Sequence, residues 1–227
     1  MTDMNPTATE ALEKIAAEIR QCPLCGLAAF RHKAVPGSGP FTAEIMFIGE
    51  GPGFNEDMQG LPFVGQSGKL LDSLLARIQL DRSQVFITNV VKCRPPDNRD
   101  PWPDEINICT TTYLYRQIAL INPKVIVTLG RFSMGLFFPG AKITAIHGSV
   151  KWIDGRAYLP MFHPAAILRN MTGLKPQADA DMAKLPGLIA EARQRAAMPQ
   201  SPSETPTAID QPAPPPDEAP PKQMSLF

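Results

Sequence analysis

"AEIMFIGE", residues 43–50, is a short apolar run that breaks off at Gly49 and Glu50. Its length and its glycine end read as a buried strand rather than a helix. Three later stretches repeat the pattern: "SQVFITNV" (83–90), "PKVIVTLG" (123–130) and "GRAYLPMFHP" (155–164). Helical spacing separates them, in "GKLLDSLLARIQL" (68–80) and in "PDEINICTTTYLYRQIALI" (103–121), where Pro103 falls in the first turn. Further helices are expected over 8–21 and 178–196. Strands alternating with helices predict a three-layer α/β/α sandwich with a central, mostly parallel four-stranded sheet. Each strand runs into a polar or glycine-rich segment: "GEGPG", "TNVVK", "LGR" and "FHPAA". Ligands of open α/β sheets bind outside the carboxyl ends of the strands, so the active site is expected where these four ends meet.

Composition sets the outer limits. A 227-residue chain with 44% apolar residues can fill a sizeable core. Charge balances overall but not locally. Beyond Met198 four acids face one base, a net −3, which leaves residues 1–198 at +3. That mild excess permits contact with nucleic acid without requiring it. The polar opening lacks the pattern of a secretory signal, and no apolar run approaches the ~20 residues of a membrane span. The expected location is the cytoplasm, with no membrane partner. Thiols there stay reduced, which weakens the disulfide reading of the four cysteines. Cys22 and Cys25 form a C-x2-C pair, 67 residues intervene, and Cys93 and Cys109 follow with fifteen residues between them. Zinc ribbons favour two close pairs. The spacing here fits thiolate ligation of an iron–sulfur cluster better, stapling the N-terminal helix to a loop that holds Lys92, Arg94 and Arg99.

Other candidates carry two readings each. "GEGPG" is neither a dinucleotide fingerprint nor a Walker motif, and Pro52 removes an amide donor that a phosphate cradle would use. A tight turn accounts for it, except that Glu50 is a carboxylate held at a sheet end, with Glu56 and Asp57 close behind. His163, one of three histidines, precedes Pro164, which fixes its backbone. It is either structural or a donor to a developing anion. Asn89 either caps a turn or reads a base edge. Phe63 is either core or a stacking surface for an extruded base.

Taken together, "GEGPGFNEDMQGLPFVGQSGKLL", "TNVVKCRPPDNRDPWPDE" and "FHPAAILR" resemble the family 4 uracil-DNA glycosylases over residues 20–195. The resemblance implies an α/β/α fold and a [4Fe–4S] cluster on Cys22, Cys25, Cys93 and Cys109. It implies excision of uracil from single- or double-stranded DNA by hydrolysis of the N-glycosidic bond, leaving an abasic site. His163 would donate to the departing base, Asn89 would read the uracil edge, and Phe63 would stack on the ring. Glu50 and Gly51 match the first motif, with Glu50 positioning water or stabilising the sugar cation. Glu56 and Asn98 would brace that motif against the proline loop, and Leu168 or Arg169 would fill the vacated stack. A related branch traps its abasic product through a histidine in a basic insert. The loop "CRPPDNRDPWP" has neither, so turnover is expected. The alternative is a non-catalytic or covalently trapping iron–sulfur DNA-binding protein of the same superfamily.

The chain is thus divided into a catalytic domain at 1–198, a tether at 199–222 and a peptide at 223–227. Nine prolines in the 24 residues of 199–222 mark a disordered or extended tether. "QMSLF" resembles the peptide by which bacterial proteins dock on the replication sliding clamp, with Gln223, Leu226 and Phe227 matching and Met224 in place of leucine. A monomer working close to bacterial nucleoid DNA is expected.

Overall fold

The structure, a computed structural model, describes residues 6–197. The tether and the peptide, with Gln223, Leu226 and Phe227, lie outside the described residues. The elements in chain order are α1 (Pro6–Gln21), β1 (Ile45–Gly49), α2 (Phe54–Gln59), α3 (Gln66–Arg77), β2 (Phe86–Asn89), α4 (Pro103–Cys109), α5 (Tyr115–Ile121), β3 (Val125–Leu129), α6 (Arg131–Gly135), α7 (Ile143–Ile146), β4 (Lys151–Ile153), β5 (Arg156–Met161), α8 (Pro164–Arg169), α9 (Met171–Met182) and α10 (Leu185–Ala197).

Among the described residues the sheet has five strands, in the order β2-β1-β3-β5-β4, rather than the four expected. The first four run parallel and β4 is antiparallel to β5. The extra strand is short, with Lys151 exposed and its two companions half-buried, so it lacks the apolar run that marks the others. Its signal was the Asp154-Gly155 pair. Both residues have positive φ, 49° and 74°, as a two-residue hairpin turn demands.

Alternation along the strands sends side chains to two cores. Phe47, Val127 and Leu159 face the layer built by α3, α9 and α10, where Leu71, Leu74, Leu75, Met182 and Leu185 are buried. Met46, Ile48 and Ile126 face the other layer, with Ile15 and Ile19 of α1 and Ile118 of α5. Buried strands covered on both faces by helices explain why β1 and β3 are buried throughout and apolar but for Thr128.

Two expected helices are interrupted. The stretch 103–121 changes register through a π-helical turn, Thr110–Leu114. There the hydroxyls of Thr110 and Thr111 donate back to the carbonyls of Ile106 and Asn107, at 2.8 and 2.7 Å, competing with the helical ladder. The helix expected at 178–196 is two, α9 and α10. Pro186 lies at the second position of α10, where its missing N–H costs nothing, whereas inside one continuous helix it would remove a ladder hydrogen bond.

Candidate active site

The strands β1, β2, β3 and β5 end side by side, Gly49 level with Asn89 and Leu129 level with Met161. The residues beyond those ends surround a pocket of about 580 Å³. Glu50, Gly51, Glu56, Phe63, Asn89, Asn98, His163 and Arg169 all line it. Of the residues expected at the site, only Leu168 stays off the wall. It is 39% exposed on α8, directly before Arg169.

Close approach at the floor depends on Gly49. A Cβ there would lie 2.4 Å from Asn89 Oδ1 and 2.7 Å from Phe63 Cζ. The glycine therefore lets the amide and the ring meet over β1. Phe63 has a φ of 52°, a conformation that is unfavourable for a bulky residue and is kept where surroundings enforce it. Its carbonyl oxygen accepts from Arg82 Nη2, and the next two amides, of Val64 and Gly65, donate to Glu56 Oε1 at 2.8 and 2.9 Å. Glu56, which follows the first motif in α2, thus braces the Phe63 loop. Asn98, also left-handed at φ 54°, accepts from Arg94 Nε at 2.8 Å.

Asn89 is 1% exposed, and its Oδ1 is buried with no hydrogen-bond partner. Such an acceptor is costly unless something arrives to satisfy it. Behind it, Lys92 is buried and donates from Nζ to the Asn89 carbonyl at 2.8 Å, to Thr88 Oγ1 at 2.7 Å and to Gln117 Oε1 at 2.8 Å. Gln117 in turn donates to the Pro36 carbonyl at 2.8 Å. Nothing in the spacing of Lys92 or Gln117 marked them out. They are read only once the network is seen.

His163 caps α8. The backbone N–H of Ala165 donates to its Nδ1 at 3.1 Å, so a neutral ring must carry its proton on Nε2. Burial, reinforced by the charge of Arg169, lowers its pKa to about 4, so the ring is neutral near pH 7. The imidazole lies beside Phe63, with ring centroids 5.8 Å apart and planes tilted by 32°. Glu50 is shifted the other way. Burial and then Asp100 raise its pKa, against the pull of Arg131 and Arg169. Arg131, on the pocket wall and paired with Asp100, was missed beyond its place in "LGR".

The cysteines lie on the opposite face of the sheet. Cys22, Cys93 and Cys109 are buried in one cluster with Cys25 packed at its edge. Arg31 Nη1 donates to the Cys22 carbonyl at 2.7 Å and to Cys93 Sγ at 3.2 Å, and the Lys92 N–H donates to Cys109 Sγ at 3.4 Å. Among the described residues no three such ligands close around a single ion.

Sequence comparison agrees with this geometry. The family profile of the Uracil DNA glycosylase superfamily matches residues 36–184. The type-4 uracil-DNA glycosylase of Sulfurisphaera tokodaii is 50% identical over 173 residues, covering 71% of this chain and 77% of that protein. That of Archaeoglobus fulgidus is 43% identical over 185 residues, covering 78% and 92%. That of Thermotoga maritima is 43% identical over 167 residues, covering 72% and 86%.

Proposed function

The chain belongs to the uracil-DNA glycosylase superfamily, with type-4 enzymes as its relatives, and we propose how its pocket performs the reaction. It is a DNA repair glycosylase that excises uracil. The observation that carries the mechanism is the unpartnered Oδ1 of Asn89, held in one pocket with the Phe63 ring and His163.

Uracil leaves the base stack and enters the pocket, at a cost of a few kcal/mol. Phe63 lies against its ring. Asn89 Oδ1 accepts the N3–H of uracil. Cytosine has no hydrogen on N3 in its neutral form, and its exocyclic amine replaces an acceptor with a donor. The C1′–N1 bond then breaks, its electron pair leaves with the base, and the sugar takes on oxocarbenium character. The Nε2–H of neutral His163 donates to the oxygen where negative charge gathers. Glu50, at the end of β1, orients the attacking water or stabilises the sugar cation. From α8, Leu168 or Arg169 would fill the gap in the duplex, with phosphate contact the other role for Arg169.

The cysteine set fits an iron–sulfur centre: four soft thiol donors gathered behind the sheet, with Arg31 and the Lys92 amide directed at two sulfurs. Cys22, Cys25, Cys93 and Cys109 would hold a [4Fe–4S] cluster, which supplies iron–thiolate bonds tying the end of α1 to the start of the proline loop. No step of the hydrolysis involves it. Beyond residue 198, the tether would leash this domain to the replication clamp through Gln223, Leu226 and Phe227. Such a leash would raise local concentration at new DNA. Deleting residues 223–227 should abolish retention by immobilised clamp, and unchanged retention rejects the docking.

A gel assay tests the chemistry. A uracil-containing oligonucleotide is incubated with the protein and cleaved with alkali. His163→Ala should slow the chemical step about 10²–10³-fold with oligonucleotide binding largely kept. A variant that matches the parent removes His163 from the mechanism. Glu50→Gln that stays fully active and uracil-selective does the same for Glu50.

A further inference from the structure

Two exposed aromatic residues directly follow wall residues of the pocket in the chain, outside the roles assigned so far. Trp102 follows Arg99, Asp100 and Pro101, all of which line the wall, and it is 57% exposed. Phe54 follows Gly53, another wall residue, and is 56% exposed. Each ring carries an arginine. The Arg99 guanidinium lies 3.8 Å from the Trp102 ring centroid, and that of Arg94 lies 5.4 Å from the Phe54 centroid. Both arginines come from the proline loop, so one loop supplies the cation over each ring.

Trp102 is also held still. It lies between Pro101 and Pro103, and its backbone N–H donates to Glu105 Oε2 at 2.8 Å. The same buried carboxylate pairs with both guanidinium nitrogens of Arg99, at 2.9 and 2.7 Å. The fold therefore fixes the guanidinium that covers one side of the indole and leaves most of the residue in water. That arrangement adds little to the core. It does meet the needs of a base-stacking surface, which wants a rigid exposed ring with cationic support in a groove that follows a phosphate chain.

We propose that Trp102 is a stacking station for the nucleobase next to the uracil in an unpaired DNA strand, with Phe54 serving as a second ring. This inference rests on the glycosylase reading of the pocket. In a duplex the neighbouring bases are held by their partners and by each other. A base can lie on Trp102 only after leaving that stack, so the station serves single strands far more than duplexes. Stacking is indifferent to base identity, because every base offers a π-face.

The chain has two tryptophans, so Trp152→Phe leaves Trp102 as the sole tryptophan fluorophore. Titrating that full-length protein with uracil-free oligothymidylate should quench its emission to saturation, whereas a hairpin duplex of equal length should not. In the excision assay, Trp102→Ala should lower kcat/KM on single-stranded uracil DNA about tenfold and on the duplex less than about twofold, with Trp102→Phe restoring most of the loss. No quenching, equal quenching by the duplex, or equal losses on both substrates each overturns the station. The quenching needs no chemistry. Failure of the unaltered chain to excise uracil is therefore a separate result, against the reading of the pocket.

Discussion

Gly68 lies so close to Phe63 that a Cβ added to it would stand 1.7 Å from the Phe63 carbonyl oxygen and 2.2 Å from its carbon. Only glycine leaves room at position 68 for the Phe63 carbonyl, a backbone group that cannot yield. Gly68→Ala should displace the Phe63 loop. Overpacking of this kind costs about 1–3 kcal/mol, so the urea midpoint should fall and uracil excision should fall with it. An alanine variant with parental stability and activity would show that the loop finds another path.

Asn89 should govern which base is accepted. Asn89→Ala removes the buried acceptor and should cut kcat/KM on uracil by about 10–10², and free uracil should cease to inhibit. Asn89→Asp keeps an acceptor but places a charge beside a departing anion, so its loss should appear mainly in kcat. The comparison is made on matched uracil and cytosine oligonucleotides. If neither substitution changes inhibition by free uracil, the amide does not face the base.

His163 should leave a mark on acid stability. Burial holds its folded pKa at about 4, whereas an unfolded histidine titrates near 6.5. The unfolded chain therefore gains a proton first as pH falls. The stability associated with the neutral ring is complete above about pH 6.5 and is lost progressively toward pH 4, on the order of 3 kcal/mol in all. His163→Asn lacks this titration. Urea unfolding of both proteins between pH 7.5 and 4.5 should show the parent losing ground to the variant, and a constant difference would exclude a depressed pKa.

Stripping iron should loosen the N-terminal region before it alters the pocket. The purified chain should contain iron and labile sulfide in equal amounts. A chelator with reductant should lower its melting temperature and expose α1 to protease. Serine at Cys22 or Cys109 should reproduce the effect. A chain with all four cysteines replaced that keeps its melting temperature, colourless and active, would refute the staple.

Much of this was legible in the residues. The apolar runs that form β1, β2, β3 and β5 are each bounded by glycine, proline or a polar turn, and their ends mark the pocket in the sequence itself. β4 was not legible as a run, since an edge strand with one exposed and two half-buried residues need not be apolar. The interruption after Cys109 comes from threonine hydroxyls bonding backward, which helix periodicity does not register. Lys92 was noticed only as a charge near the cysteines. Its service to Asn89 depends on three acceptors, two from β2 and one from α5. Trp102 lies inside "TNVVKCRPPDNRDPWPDE" but carries no role legible there, because its meaning lies in which loop carries it and which guanidinium covers it.

The pocket is assembled at three strand ends. Glu50 and the Phe63 loop braced by Glu56 both follow β1, Asn89 ends β2, and His163 follows β5. The connection after β1 carries two of these duties and the others one each. A new base preference can therefore be sought by altering one loop while the sheet and the remaining loops stay as they are, which makes this scaffold open to stepwise retargeting toward other damaged bases.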